Sequence, residues 1–379
     1  MEKKVGILTM YYNSVNYGGL LQAYALCKAL NCTGIVKSEQ IQYSDKRFKY
    51  KLIGYVRSCQ YKLKNAKLYF KYGLAFSNKN KKRKKKIFEF ATKYIPHTKK
   101  VFNKKSITMT NELFESFICG SDQVWCSRDG RYYLDFVQAK NKYAYACSTG
   151  KMTYNQHEKE LFERHLQDFQ AISVREKDLS SYLTDILNKE VECVLDPTLL
   201  LEKEQWDTVC AERIIKENYV FCYFLGSDVN HRKLATEYAK NKGLKLVTLP
   251  HLQQKINKSD IGFGDYQLFE IDPKDFISLI KNAECVLTDS FHASVFSCIY
   301  EKKFFVFERT DHKGMSSRIS TLVDLFGCYN QFCDDNEKLS FDYMASTEIC
   351  YNKEKYKKAH EESMLFIKKQ ILGECIDEK

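Results

Sequence analysis

The sequence alternates short apolar runs with longer stretches in which apolar residues recur at helical spacing. Apolar runs of this length, bounded by polar residues, are typical of buried strands, and their alternation with helices is typical of parallel βαβ units. In the first half, the pattern predicts a helix over residues 19–30 and strands at residues 5–9, 117–119 and 143–148. In the second half, it predicts strands at residues 171–174, 192–195, 219–225, 244–249, 285–288 and 304–307.

The two series of strands predict an α/β protein with two Rossmann-like domains that face a cleft. A chain of 379 residues is longer than one typical core requires, which agrees with two domains. We place an N-terminal domain at residues 1–165 and a C-terminal domain at residues 166–345. A helical tail at residues 346–379 is expected to pack back across one domain.

The net charge of +12 is concentrated in a helical insertion at about residues 46–105, which we assign to the first domain. This segment has 21 lysines and arginines against a single acid, Glu89, and aromatic residues lie among them. One interpretation is a solvated face, and another is a surface that docks on an anionic membrane leaflet. Basic residues among aromatics also occur in nucleic-acid-binding proteins, but no nucleic acid is expected here.

Fifteen cysteines, mostly single and inside apolar runs, are typical of buried thiols in a reducing compartment. No CxxC pair is present, so no metal site is expected. The sequence also has no signal-type apolar segment and no apolar run long enough to span a membrane. We therefore expect a cytoplasmic protein that can associate peripherally with the inner face of the plasma membrane through residues 46–105.

Ligands of open α/β sheets bind beyond the carboxyl ends of the strands, so the residues that follow each strand are candidates for the site. After the first strand, Asn16 precedes Gly18 and Gly19 at the start of a helix, where a close backbone approach would favour an anion or a hydroxyl oxygen. A tight connection is the alternative. After the strand at 117–119, Asp122 and Gln123 precede a tryptophan, which favours either a sugar platform or a turn followed by a core residue.

In the second series, Arg175 ends one strand and could hold a carboxylate or a phosphate, or could form an ordinary ion pair. Ser290 and His292 follow the strand at 285–288, where a histidine at a helix start suits acid–base work, although helix capping would also explain this cluster. Farther along, Lys313 and Arg318 could complete a cationic pocket.

Six of these segments, in this order and spacing, resemble the polysaccharide pyruvyl transferase family. The resemblance extends over about residues 3–326 and rests on NYGGLLQA (16–23), GSDQVW (120–125), SVRE (173–176), LDPT (195–198), TDSFHA (288–293) and SSRI (316–319).

The resemblance implies a GT-B-like fold and transfer of a pyruvyl group from phosphoenolpyruvate to two hydroxyls of a sugar, which forms a ketal and releases phosphate. The acceptor would be a sugar, free or on a lipid-linked oligosaccharide, of a surface or exopolysaccharide precursor, and no metal or cofactor would be required besides the donor substrate. His292 would be the general acid–base residue. The implied donor contacts are Arg175, Ser290, Lys313 and Arg318, and the implied acceptor contacts are Asn16, Gly18, Gly19, Asp122 and Gln123.

One position departs from the family pattern. Some members have an arginine two positions before the histidine, where this chain has Ser290, so a donor contact must come from elsewhere or is lost. The alternatives are a GT-B glycosyltransferase that uses a nucleotide sugar, and a basic membrane- or nucleic-acid-binding protein.

Overall fold

The chain forms two compact units, each built around one six-stranded parallel sheet. Unit 1 comprises Met1–Ser44, Ala91–Gln205 and Asn352–Lys379, and unit 2 comprises Asp45–Phe90 and Trp206–Tyr351. The computed structural model describes residues 2–44, 59–60, 62–64, 66–127, 129–138, 141–151, 153–251, 257–309, 316–334 and 337–374.

Strands and helices alternate along most of the chain, as the apolar pattern predicts. The strands are β1 (Lys3–Leu8), β2 (Val36–Gln40), β3 (Ser116–Asp122), β4 (Lys142–Cys147), β5 (Ala171–Val174), β6 (Val191–Cys193), β7 (Tyr219–Tyr223), β8 (Lys245–Thr248), β9 (Tyr266–Gln267), β10 (Cys285–Thr288), β11 (Phe304–Phe307) and β12 (Phe332–Cys333). The α-helices are α1 (Tyr17–Asn31), α2 (Ala66–Tyr94), α3 (Gln156–Leu166), α4 (Lys177–Leu187), α5 (Lys203–Asp207), α6 (Val229–Asn241), α7 (Pro273–Lys281), α8 (Phe291–Ile299), α9 (Ser316–Leu325), α10 (Phe341–Ser346) and α11 (Glu354–Phe366).

Each sheet contains a point at which the strand order reverses. The order in unit 1 is β2-β1-β3-β4-β5-β6, so the reversal lies between β1 and β3. The order in unit 2 is β12-β11-β10-β7-β8-β9, which is the usual order of Rossmann sheets, and its reversal lies between β7 and β10. Loops leave the sheet in opposite directions at such a point, so a crevice opens there in each unit.

The central strands are apolar on both faces because helices cover both sides of a parallel sheet. In β3, Phe117, Ile118 and Cys119 are fully buried, and the whole of β10 is buried as well. The apolar runs of these strands therefore form the two cores, and they fix the strand ends at which polar residues follow.

The predicted domain boundary at residue 165 is wrong, because the division of the sheets lies near residue 205. β5 pairs with β4 through Tyr143 and Ala171, and β6 pairs with β5, so both strands complete the sheet of unit 1. The basic insertion also differs in part from the prediction, because its described residues up to Phe90 belong to unit 2, whereas residues 91–105 belong to unit 1.

The helical tail packs back as predicted, and it does so on unit 1. Ser363 of α11 accepts a hydrogen bond from the Leu195 backbone N–H at 2.9 Å, and the Tyr356 hydroxyl donates to the Leu199 carbonyl at 3.0 Å. The rings of Phe366 and Tyr145 lie 6.1 Å apart. Helix α11 is therefore part of the core of unit 1, although it follows unit 2 in the sequence.

The α/β fold class with two Rossmann-like units is confirmed. The apolar pattern did not predict β2, β9 or β12. Among the residues that the structure describes, no helix is both long and apolar enough to cross a membrane.

Candidate functional site

The strand ends at the reversal point of unit 1 are held together by buried hydrogen bonds. The Thr9 hydroxyl, just after β1, donates to the Ser121 carbonyl of β3 at 2.7 Å. The side-chain amide of Gln22 on α1 donates to Thr9 Oγ1 at 3.2 Å and to the Gly19 carbonyl at 2.9 Å. These contacts fix the start of α1 against the end of β3, which brings together the two segments predicted to bind the acceptor.

Asn16, Gly18 and Gly19 form the N-terminal end of α1. The Asn16 side chain caps the helix by accepting from the Gly18 backbone N–H at 3.1 Å, and Asn16 itself is exposed. A side chain at Gly19 would meet Asn16 only at ordinary contact distance, 3.7 Å, so packing does not require glycine there. The exposed amide at a helix N-terminus is thus positioned to meet a polar ligand.

Asp122 ends β3 with a left-handed backbone, φ 72°, which is uncommon for a residue with a side chain. Its Oδ1 accepts from Nη2 of Arg175 at 3.3 Å, and Nη1 of the same guanidinium donates to Oδ2 of Asp196 at 2.5 Å. The Asp122 side chain keeps 19% of its surface exposed, whereas that of Arg175 is only 4% exposed. Asp122 is therefore the member of this cluster that can reach a ligand.

Arg175 lies in unit 1, so the prediction that it belongs to a C-terminal donor domain is wrong in its placement. Burial disfavours its charge, but the carboxylates of Asp196, Glu176 and Asp122 outweigh this effect and raise the pKa of Arg175. The guanidinium is held among three carboxylates and joins the predicted acceptor residues. Of the two interpretations of Arg175, the geometry favours the ion pair.

The tryptophan after Gln123 belongs to the core. Trp125 is 4% exposed, stacks on Tyr133 with ring centroids 6.0 Å apart, and donates from its indole N–H to the Tyr132 carbonyl. It therefore does not form a platform for a sugar. Gln123 remains partly exposed, and its side chain packs against Gly150, where any Cβ would approach the Gln123 amide nitrogen to 2.4 Å.

The reversal point of unit 2 is organised by Asp289, directly after β10. Its two carboxylate oxygens accept from the backbone N–H groups of Leu225 and Gly226, at 2.6 and 2.8 Å, and so fix the loop after β7. Burial raises the pKa of Asp289, while these two hydrogen bonds and the charge of Arg309 oppose the shift. Asp289 is not among the predicted site residues, and its contacts shape the crevice.

Ser290 and His292 lie at the start of α8, at this same strand end. Ser290 caps the helix by accepting from the Ala293 N–H at 3.5 Å, so the capping interpretation of Ser290 is confirmed. The ring of His292 is buried and meets that of Phe291 edge to face at 5.1 Å. The arrangement places an imidazole in the first turn of a helix, beside the carboxyl edge of the second sheet.

Arg318 lies near the same helix start. Its guanidinium carbon is 5.6 Å from the centroid of the Phe291 ring, so α9 brings a buried cation next to α8. Lys313, the other predicted cation of this pocket, lies outside the residues that the structure describes. The structure thus brings Ser290, His292 and Arg318 together in unit 2.

His251, which is not among the predicted site residues, follows β8 at the same edge of the second sheet. Burial and, after it, the positive charges of Arg83 and Arg309 lower the pKa of His251 to about 4. The imidazole is therefore neutral near pH 7. No motif marks His251 in the sequence, and Arg83 was counted with the surface lysines. The only sequence feature that could have indicated His251 is its position just after a strand.

Comparison with known structures shows the same two-unit fold. A UDP-GlcNAc 2-epimerase from Methanocaldococcus jannaschii matches with a TM-score of 0.53 and 12% identity, over 96% of this chain and 99% of that one. The S. aureus MnaA–UDP complex matches with a TM-score of 0.52 and 13% identity, over 100% of both chains. The enzyme from Neisseria meningitidis bound to UDP-GlcNAc matches with 0.51 and 11%, over 96% and 100%. At these identities, the likeness establishes the GT-B-like fold alone.

Comparison with curated protein sequences finds no match. The family model of polysaccharide pyruvyl transferases matches residues 16–312. This span begins at the Asn16 cap and includes every predicted site residue except Lys313 and Arg318. Because the match extends over most of the chain and over both units, the chain belongs to the polysaccharide pyruvyl transferase family, and it is a transferase.

Proposed function

We propose that the protein transfers the pyruvyl group of phosphoenolpyruvate to two hydroxyls of one sugar in a surface or exopolysaccharide precursor. The observation that carries the proposal is the cluster of Ser290, His292 and Arg318 at the carboxyl edge of the second sheet, within a chain of this family. Here an imidazole and a cation lie at a helix start, as a small anionic donor requires.

The reaction requires a proton donor. Protonation of the methylene carbon of phosphoenolpyruvate leaves an oxocarbenium-like C2, which the first sugar hydroxyl attacks as it loses its proton. The bond from C2 to the phosphate oxygen then breaks and phosphate leaves. The second hydroxyl attacks C2 to close the ketal, and its proton passes to the departing phosphate. We assign the proton transfers to His292, since a histidine can both donate and accept a proton near neutral pH.

The donor also carries a negatively charged carboxylate and phosphate, which the protein must bind. We assign its binding to Ser290, to Arg318 and to the backbone N–H groups at the start of α8, which favour an anion through the helix dipole. Lys313 remains a further predicted contact. Fixed donors of this kind stabilise a leaving phosphate because they require no rearrangement as its charge develops.

The acceptor sugar is assigned to unit 1. Asn16 and Asp122 offer an amide and a carboxylate to sugar hydroxyls, with Gly18, Gly19 and Gln123 beside them. We assign to Arg175 the role of holding Asp122 in place.

Peripheral membrane association is a separate part of the proposal, and it rests on α2. Phe70 is 95% exposed, Leu63 just before the helix is 76% exposed, and Lys81, Lys84 and Lys85 are exposed farther along. Exposed apolar residues and lysines on one segment suit an anionic leaflet, where each cation contributes about 1 kcal/mol.

The first test is phosphate release from phosphoenolpyruvate, measured with a panel of galactose-, N-acetylmannosamine- and glucose-type acceptors. We expect acceptor-dependent release by the wild type. The substitution His292→Ala should lower it at least 100-fold, because general acid–base catalysis contributes roughly two to four powers of ten. The matched control is His157→Ala, since His157 is exposed on α3 in unit 1.

Two results would contradict the proposal. Release that His292→Ala leaves unchanged would remove His292 from the reaction. Absence of release with every acceptor, together with thermal stabilisation of the protein by a nucleotide sugar, would favour a GT-B glycosyltransferase, the alternative that shares this fold.

A further inference from the structure

One cation of the basic run on α2 turns inward. Within residues 81–86, Arg83 is 2% exposed, whereas the lysines on either side of it are exposed. Arg83 shares a helical stripe with Ile87 and Phe90, which are also buried. Burying a charge costs free energy unless contacts compensate it. The inward position of Arg83 is therefore not explained by a solvated face, and its contacts inside unit 2 must account for it.

Arg83 contacts the segment that leaves β8. Its Nη1 donates to the Pro250 carbonyl at 2.9 Å, and His251 is the next residue. The rings of His251 and Tyr223, at the end of β7, lie 6.4 Å apart. Helix α2 therefore delivers a guanidinium to the carboxyl edge of the second sheet, near the reversal point that holds Ser290 and His292.

A second arginine, Arg309, follows a strand at the same edge of the second sheet. β11 neighbours β10 in the sheet, and Arg309 follows the end of β11 by two residues. Its charge acts on both Asp289 and His251. Burial is the main cause of the lowered pKa of His251, and the positive charges of Arg83 and Arg309 add to it.

The same corner opens into a cavity within unit 2. Its volume is ≈ 240 Å³, and Pro250 and His251 line it together with Lys79, which lies one helical turn before Arg83. Space for a ligand therefore adjoins His251 and Lys79. Asp260 also lines this space, but its carboxylate is paired with the guanidinium of Arg232. A carboxylate or a phosphate is the ligand group that such a positive corner favours.

We propose that Arg83, His251 and Arg309 form an anion-binding site of unit 2, which holds the carboxylate or the phosphate of a small-molecule donor. The inference rests on the proposed function, and it would supply a donor contact that Ser290 itself does not provide as an arginine would. His251 and Arg309 are partly exposed and contact the anion. Arg83 is a positioning residue that holds residues 250–251 and adds its charge.

The test is the affinity of the full-length protein for phosphoenolpyruvate, inorganic phosphate and pyruvate, measured by calorimetry. We expect Arg83→Gln and Arg309→Gln each to weaken phosphoenolpyruvate binding about tenfold, because each removes one charge-assisted contribution. Arg83→Lys should keep most of the affinity. Arg164→Gln, which removes an exposed arginine of α3, should bind as the wild type does. Comparing phosphate with pyruvate identifies which end of the donor occupies the site.

The pKa of His251, measured by NMR in the protein without ligand, distinguishes an electrostatic role of Arg83 from a purely structural one. Loss of the neighbouring charge should raise the pKa of His251 toward its ordinary value in Arg83→Gln, and Arg83→Lys should leave it low. A lower melting temperature with an unchanged His251 pKa and unchanged anion affinity would assign Arg83 to the fold alone.

The remaining outcomes separate this inference from the proposed function. Phosphate binding that depends on Arg83 and Arg309, without binding of phosphoenolpyruvate, would support the anion site and contradict the donor. Acceptor-dependent phosphate release that both substitutions leave unchanged, with unchanged affinities, would overturn the anion site and leave the proposed function standing. A wild type that binds none of the three anions would also overturn the site.

Discussion

At the scale of single residues, the buried charges around Arg175 are expected to have a large effect on stability. The guanidinium is bound by Asp196 and Asp122, and Glu176 lies 3.8 Å from it. Asp196 is itself buried and accepts from the Thr198 backbone and hydroxyl. Removing the shared cation would leave buried carboxylates without their main compensating charge.

We predict that Arg175→Met lowers the free energy of unfolding of unit 1 by about 3 to 5 kcal/mol, the usual cost of breaking a buried ion pair. Urea denaturation, followed by the fluorescence of Trp125 in unit 1, measures the change. Arg164→Met is the matched control, because Arg164 is exposed on α3, and it should shift the midpoint little. An equally small shift for Arg175→Met would mean that the carboxylates are compensated by other groups.

Most of the site residues could be predicted from the sequence, but the residues that each of them contacts could not. Asp122, Arg175 and His292 each lie at or just after the end of a strand, and this position, with the chemistry of their side chains, made them candidates. The pairing of Arg175 with Asp122 joins residues 53 positions apart, and it exists because β3, β4 and β5 are neighbours in one sheet. Side-chain type and local spacing carry no information on that neighbourhood, which is why Arg175 was assigned to the donor and His251 was missed.

At the scale of elements, α2 has two faces with different roles. Its inner stripe carries Arg83, Ile87 and Phe90, and its outer face carries the exposed lysines. Two outer lysines bind acids of unit 2: Lys82 contacts Glu270 at 2.9 Å, and Lys86 lies 3.9 Å from Asp275. Lys81 and Lys84 are among the outer lysines that could meet an anionic surface.

We predict that replacing Lys81, Lys84 and Lys85 together by glutamine weakens binding to vesicles of anionic phospholipid about 100-fold at low salt. Three cations at about 1 kcal/mol each account for a change of this size. Co-sedimentation with the vesicles measures it. The control replaces Lys355, Lys357 and Lys358 on α11, which are also exposed lysines, and should bind as the wild type does. If the wild type does not sediment with these vesicles, the outer face of α2 is simply solvated.

The elements themselves were predictable where burial controls composition. The central strands are continuous apolar runs, and the predicted ranges coincide with β5, β10 and β11. β2, whose sequence is VKSEQ, has a single aliphatic residue and lies at the edge of the first sheet. β9 and β12 have only two residues each. Backbone pairing with a neighbour defines such strands, and an apolar pattern does not detect it.

At the scale of the whole molecule, the chain passes between the two units more than once. Unit 1 is assembled from three stretches of sequence and unit 2 from two. The last stretch of unit 1 contains α11, whose Ser363 receives the Leu195 N–H. The stability of unit 1 should therefore depend on residues that follow all of unit 2.

We predict that deletion of residues 352–379 destabilises unit 1 selectively. Hydrogen exchange followed by mass spectrometry should show lost protection in β4 and β6, while β7 and β10 keep theirs. The single substitution Ser363→Ala should act in the same direction but more weakly, by roughly 1 to 3 kcal/mol, since it removes one buried acceptor. Equal loss of protection in both units would contradict this assignment of α11.

The number of domains was predictable from chain length and from the two series of strands, but the boundary was not. Strands can be predicted one after another along the sequence, but no local feature marks the last strand of a sheet. Residues 166–205 look like the start of a second α/β series, yet β5 and β6 extend the first sheet because β4 offers its open edge to Ala171.

The position of α11 also has a consequence for synthesis. A ribosome makes the chain from its N-terminus, and domains generally fold as they emerge. Here β1 to β6 emerge first, but α11, one of the helices that pack on unit 1, is translated only after residues 206–351. Unit 2 can therefore reach its native state while unit 1 still exposes the apolar surface beside Tyr145, so the unit that is translated first is completed last. During that interval, unit 1 is the part of the nascent chain that a chaperone would have to protect.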